Sequence, residues 1–336
     1  MRHINFLKEI NPASVVTIIS HKDCVDGLVS ATLMSKVLAK NRIKARIFFS
    51  SVKDVAKSVE RFRNCDYLII LDLASEYYVD ALSGIKAKVL VIDHHVVHKD
   101  GSNKNVVFIN PRLEHKERYQ PASYLIWKLF PEVKELNWLS AIGTTADYGY
   151  DDCRDLLDKF FKIDDKNKLL DTEMGLMGKM VAAAITKHGH RTTMNILYNA
   201  KSLKEIEKNK KFVEAFKEAE TRFAAALEEF YTNKENYGNV VFSLLSEDNS
   251  RYGGAIGTKL SSQNNEEAYI IFAKLTSREC SVHGRTHNKK YNLAEAFKKV
   301  SHELGALGGG HEAASGSRIK IKQIGKFKEL FLKHFQ

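Results

Sequence analysis

Five short apolar runs rich in β-branched residues recur through the first third of the chain: VVTII at 15–19, ARIFF at 45–49, YLIIL at 67–71, KVLVI at 88–92 and NVVFI at 105–109. Segments of helical length, such as 28–40 and 53–63, separate the first four. Alternation of this kind predicts βαβ crossovers and a mostly parallel sheet covered by helices. In such a sheet, ligands bind beyond the carboxyl ends of the strands, near the point where strand order reverses. The polar residues that follow each run are therefore the first places to look for function.

His21, Asp23, Cys24 and Asp26 follow the first run, Asp72 follows the third, and Asp93, His94 and His95 follow the fourth. One Asp at a strand end usually caps a helix or sets a turn. Carboxylates delivered by three strands to one edge repel each other, and a bound cation is what makes such a gathering tolerable. Oxygen and imidazole ligands suit Mn²⁺ or Mg²⁺, and a mixed set leans toward Mn²⁺, with Co²⁺ a further candidate. Asp72, from a central strand, is the candidate to bridge two ions at the spacing of about 3.5–4 Å used in two-metal phosphoryl chemistry.

The rest of the chain is consistent with a soluble α/β protein. Helical patterns at 121–130, 134–146, 153–161 and 167–187 lead into 201–230, a charged stretch with an apolar stripe and no Gly or Pro. Strand-like runs return at 240–245 and 268–275. The expected organisation is a parallel-sheet catalytic domain at 1–195, a helical linker at 196–236 and a smaller α/β domain at 237–336. The basic end, 317–336, reads as a phosphate-backbone contact or a solvated helix, and KHGHR at 187–191 is a further candidate. No apolar run reaches the roughly 18 residues a membrane span requires, and the amino terminus lacks a signal-peptide pattern, so a cytoplasmic protein is expected. Four cysteines without a CxxC pair argue for reduced thiols, and a net charge of +11 favours an anionic partner.

Four of these segments in order carry a family resemblance: the acid and histidine cluster at 21–26, Asp72 after a strand, IDHH at 92–95 and GTTADYG at 143–149. This order resembles the DHH phosphoesterase superfamily, with its RecJ-type exonucleases, oligoribonucleases and cyclic-dinucleotide phosphodiesterases. GALGGGHEAASG at 305–316 resembles the Gly-Gly-Gly-His signature of the DHH-associated domain.

The resemblance implies a Rossmann-like metal-binding domain in which His21, Asp26, Asp72, His94 and Asp147 ligate metal. Asp93 would orient a histidine, and His95 would contact the substrate phosphate. The usual first motif has an acid where Cys24 stands, so either Asp23 or Cys24 would complete the site. In the second domain, Arg285 and His311 would grip substrate, with Gly308, Gly309 and Gly310 as the wall. His283 and His287 beside Arg285 read as surface polar residues.

The implied function is a Mn²⁺-dependent phosphodiesterase that works in a cleft between the domains and releases mononucleotides from short single-stranded RNA or DNA. Cyclic dinucleotides and 3′-phosphoadenosine 5′-phosphate are the alternative nucleotide-type substrates. A catalytically inactive nucleic-acid-binding protein is the alternative class, and a homodimer is an open option.

Overall fold

The computed structural model describes residues 2–22, 24–97 and 99–335. They form two compact units, residues 1–216 and 217–336.

Within the first unit, β1 (Val16–His21), β2 (Ala45–Ser50), β3 (Tyr67–Leu71), β4 (Lys88–Ile92) and β5 (Val106–Ile109) build a five-stranded sheet in the order β2-β1-β3-β4-β5. Every pairing is parallel. All five residues of β3 are buried, as a central strand covered on both faces demands. One face packs Ile19, Leu68, Ile70, Val89 and Val91 against Val55, Val59 and Leu82. Beside the sheet, the Val25–Lys40 helix packs on the Ala122–Leu129, Asn137–Ala146 and Glu173–Asn199 helices. The first crossover leads from β1 to β2 on one side, and the chain then returns past β1 to β3. The strand order therefore switches between β1 and β3, and the crevice beyond their carboxyl ends is where this topology places ligands.

The stretch at 201–230 is not one helix. It divides into Leu203–Glu207 and Lys210–Asn233, because the Asn209 side chain accepts hydrogen bonds from the amides of Lys211 and Phe212 and starts a second helix.

The second unit holds β6 (Glu235–Tyr237), β7 (Val240–Leu245), β8 (Ala268–Lys274), β9 (Glu279–Thr286), β10 (Gly308–His311) and β11 (Ala314–Lys320), ordered β10-β11-β9-β8-β7-β6. Only β7 and β8 pair in parallel among the described strands. On one face, Phe297 and Val300 of the Leu293–Glu303 helix and Phe327 and Phe331 of the Ile324–His334 helix meet Phe242 and Phe272. The basic end is thus no free tail: its first residues belong to β11, and in the Ile324–His334 helix Phe327, Leu330 and Phe331, at helical spacing, enter the core. No helix among the described residues is long and apolar enough to cross a membrane.

Candidate metal centre

The site grows out of the ends of β1, β3 and β4. β1 ends at His21, and Cys24 begins the Val25–Lys40 helix. The Cys24 sulfur accepts a hydrogen bond from the Gly27 amide at 3.1 Å, the role a Ser or Asp usually fills at a helix start, and donates to Asp72 Oδ2 at 2.8 Å. Asp23 lies outside the described residues. Gly27 lets the helix begin against the strand end, since a Cβ there would lie 2.3 Å from the His21 carbonyl oxygen.

Asp26 is buried, and its two carboxylate oxygens accept from the amides of Ala122 (2.8 Å) and Ser123 (3.1 Å). It therefore caps the Ala122–Leu129 helix from 96 positions away.

Asp72 follows β3 with a left-handed backbone (φ 55°), an uncommon state for a non-glycine residue. The chain turns there so that the buried carboxylate faces His21 Nδ1 at 3.5 Å, the Cys24 thiol and His94 Nε2 at 3.1 Å. His94 Nε2 also lies 3.3 Å from Asp147 Oδ2, at the end of the Asn137–Ala146 helix. Asp93 is fully buried and bonds His95 Nδ1 at 2.7 Å, and His95 remains partly exposed.

Three overlapping groups of possible ligand atoms result, each within a 4.8 Å span: His21, Cys24 and Asp72; Asp26, His94 and Asp147; and Asp72, Asp93, His94 and His95. Asp72 belongs to two of them, the placement a bridging carboxylate needs.

Electrostatics show how unbalanced this cluster is by itself. Burial, then the charges of Asp72 and Asp147, push the Asp26 carboxyl well above the carboxylate range. Burial opposes protonation of His94, but its bond to Asp72 and the charge of Asp147 outweigh it and push its pKa up to about 10. Asp72 is likewise opposed by burial yet held below the usual range by its contacts with His21 and His94. Buried acids thus crowd around the His94 ring. Separations of 3.1 and 3.3 Å match the roughly 3 Å between adjacent ligands on an octahedral ion with bonds near 2.1 Å. The donor set fits a hard or borderline divalent cation, with the Cys24 sulfur as its one soft member.

Three supporting residues carried no signal in our reading of the motifs. The Asn110 side chain donates to the His95 carbonyl at 3.0 Å and to Asp93 at 3.4 Å. Arg112 Nε donates to the His94 carbonyl at 2.9 Å. The Tyr119 hydroxyl donates to Asp147 at 2.8 Å, and its ring stands edge-on to His94. Asn110 directly follows β5, so looking past the fifth strand, as past the first four, would have found it. His190 of KHGHR bonds the Lys22 carbonyl and stacks on Phe49.

In the second unit, Arg285 lies on β9 and donates to Thr258 Oγ1 at 3.3 Å and to the Gly284 carbonyl at 2.8 Å. The register pairs His311 with Ala314 and Ala314 with Arg285, and the next row runs Gly309, Gly316, His283. Directly paired residues share a face, so Arg285, His283 and His311 border a strip floored by Gly309, Gly316 and Ala314. Gly310 (φ 147°) and Gly309 (φ 152°) adopt a backbone suited to glycine. Gly308 instead packs under Ser301, where a Cβ would lie 2.0 Å from its hydroxyl. His283 is not a plain surface residue: it contacts Ser281 at 3.0 Å, and burial and then the Arg285 charge push its pKa down to about 4.

A family model described as the DHH family, N-terminal domain, matches residues 15–146, and the DHHA1 domain model matches 237–336. The fold is similar to that of RecJ from Thermus thermophilus in complex with Mn²⁺, with a TM-score of 0.72, 17% identity and 99% of this chain covered. The chain spans 54%, about half, of that protein. An exonuclease RecJ bound to manganese is matched at a TM-score of 0.70 and 16% identity, over 99% of this chain and 93% of the other. A pGpG-specific phosphodiesterase, PggH from Vibrio cholerae, is matched at 0.61 and 17%, over 95% and 98%. Comparison with curated protein sequences finds no match.

Proposed function

The chain is a two-domain member of the DHH phosphoesterase superfamily, and from that premise we propose that it is a cytoplasmic, divalent-metal-dependent phosphodiesterase releasing mononucleotides from short single-stranded oligonucleotides. The observation that carries this reading is the convergence of His21, Cys24, Asp26, Asp72, His94 and Asp147 on the switch point of the first sheet. We assign Mn²⁺ to this ligand set: His21, Cys24, Asp26, Asp72, His94 and Asp147 would hold it, and Asp72 belongs to two of the three groups of ligand atoms. Bound divalent ions supply Lewis acidity, polarising the phosphoryl oxygens and making water a competent nucleophile at neutral pH.

The chain's own residues do the rest. His95, tied through Nδ1 to buried Asp93, keeps its other ring nitrogen for a phosphate or leaving oxygen. Burial lowers its pKa, and the bond to Asp93 outweighs that and raises it. Arg285 supplies positive charge, and Arg285 and His311 supply hydrogen bonds, for a substrate phosphate, on a floor too bare of side chains to obstruct it. The likeness to a pGpG-specific phosphodiesterase of nearly the same length supports a short substrate.

Purified protein should release mononucleotides from a five-mer RNA with Mn²⁺, and Asp72→Ala should lower kcat by about a thousandfold. A panel of short DNA, cyclic dinucleotides, 3′-phosphoadenosine 5′-phosphate and pyrophosphate ranks the substrates by kcat/KM. Binding of RNA without cleavage under Mn²⁺, Mg²⁺ and Co²⁺ would replace the enzyme by a nucleic-acid-binding protein.

A further inference from the structure

KHGHR at 187–191 takes no part in the chemistry proposed above. It lies inside the long Glu173–Asn199 helix, where two helical segments meet at a kink: Gly189 has a φ of 77° and a ψ of 164°. Glycine alone adopts that backbone at little cost. A Cβ at Gly189 would meet no heavy atom within 4 Å, so the residue is required for its conformation and not for space. Thr193 Oγ1 donates to the Gly189 carbonyl at 2.8 Å and satisfies the acceptor that the kink leaves over.

The two histidines flanking the kink reach separate parts of the chain. His188 Nε2 lies 3.1 Å from the Lys211 carbonyl oxygen. His190 Nε2 bonds the Lys22 carbonyl, 168 positions away, and its ring stacks on Phe49 of β2 with centroids 4.8 Å apart. A carbonyl oxygen only accepts, so each Nε2 carries a proton and donates.

Lys22 directly follows His21, and Cys24 is two positions further on. The Lys22 amide donates to the Ser50 carbonyl at 3.0 Å, continuing the β1 to β2 pairing by one residue. Its carbonyl goes to His190. The backbone of this residue is therefore fixed twice, by β2 and by the kinked helix. His21 and Cys24, on either side of it, supply two members of the ligand group completed by Asp72.

We propose that His190 is a positioning residue for the metal centre: by donating to the Lys22 carbonyl it fixes the stretch that carries His21 and Cys24, and so strengthens their grip on a divalent ion. It acts through the backbone and belongs to none of the three groups of ligand atoms. Gly189 lets a helix residue turn toward a strand end. This role rests on the reading of the cluster as a metal centre and adds a residue outside the ligand set that tunes it.

Calorimetric titration of the intact, chelator-stripped chain with Mn²⁺ tests the role. His190→Phe keeps a ring against Phe49 and removes the donor; its Mn²⁺ affinity should fall about tenfold or more, as for other groups that orient metal ligands from outside. His190→Gln removes the ring and keeps an N–H donor at similar reach, so its affinity should stay near that of wild type. His188→Phe breaks the contact to Lys211 and should leave Mn²⁺ binding unchanged. Wild-type affinity in His190→Phe, a fall in His190→Gln as large as in His190→Phe, or an equal fall in His188→Phe overturns the proposal. Wild type that binds no Mn²⁺ overturns the metal centre and the proposal together. Cleavage of a five-mer RNA, followed separately, reports on the phosphodiesterase reading, since metal affinity is read without turnover.

Discussion

The two phosphate-binding candidates of this chain are built in opposite ways. The first unit crowds groups together: buried acids and imidazoles from three strand ends, a helix start and a helix end press within hydrogen-bonding distance of one another. The second unit clears space, with Gly309, Gly316 and Ala314 between Arg285, His283 and His311. A centre meant for cations concentrates negative charge that folding alone leaves unbalanced. A surface meant for an anionic substrate needs a cationic group, here Arg285, with hydrogen-bonding side chains beside it and an unobstructed backbone.

The same substitution should expose this contrast. Gly27→Ala forces a Cβ to within 2.3 Å of the His21 carbonyl, so strand end and helix must separate. We expect a loss of about 3 kcal/mol in chemical denaturation, at the upper end of overpacking costs, together with loss of metal binding. Gly309→Ala meets no heavy atom within 4 Å and incurs only the backbone penalty, about 1–2 kcal/mol, with metal binding intact. Equal losses would mean that the strand end and helix at Gly27 yield to the added Cβ at little cost.

Mn²⁺ gives the next largest effect. At a hundred times its Kd, binding to the folded chain adds about 2.7 kcal/mol. That raises the melting temperature of the first unit by roughly 5–10 °C. Differential scanning calorimetry should show the rise, a chelator should reverse it, and any second transition from residues 217–336 should stay in place. A rise in both transitions would break the division of labour.

A third effect is a pH dependence confined to the second unit. The folded pKa of His283 is pushed down to about 4 by burial and then by Arg285, while unfolded histidine titrates near 6.5. Between these values the unfolded chain binds more protons, so this contribution is present above pH 6.5 and is lost as pH falls toward 4. NMR titration of the His283 ring gives the pKa directly, and His283→Gln should flatten this part of the stability profile. An ordinary pKa near 6.5 would make the ring solvent-exposed instead.

Much of the first unit was legible in sequence because β1, β3 and β4 are central strands, apolar on both faces, and β1 to β5 fall on the five runs within two residues. The start of the Val25–Lys40 helix was less so, since cysteine is a rare cap and the sulfur's bond to Gly27 has no sequence signature. In the second unit, β7 and β8 stood out. β9 alternates polar and apolar residues, and β10 and β11 are rich in Gly and Ser, so their pairing depends on partners far away in the chain. Tyr119 and Arg112 were hidden because they act through a loop on groups contributed by other strands.

Asp26 ties the centre to the scaffold. Its carboxylate already serves as the amino-terminal cap of the Ala122–Leu129 helix, so it is held in place whether or not an ion is present. The cage therefore does not have to assemble around its cargo. An ion bound there would be one that could be stripped and reloaded, as in a socket, with the Asp26 cap still in place.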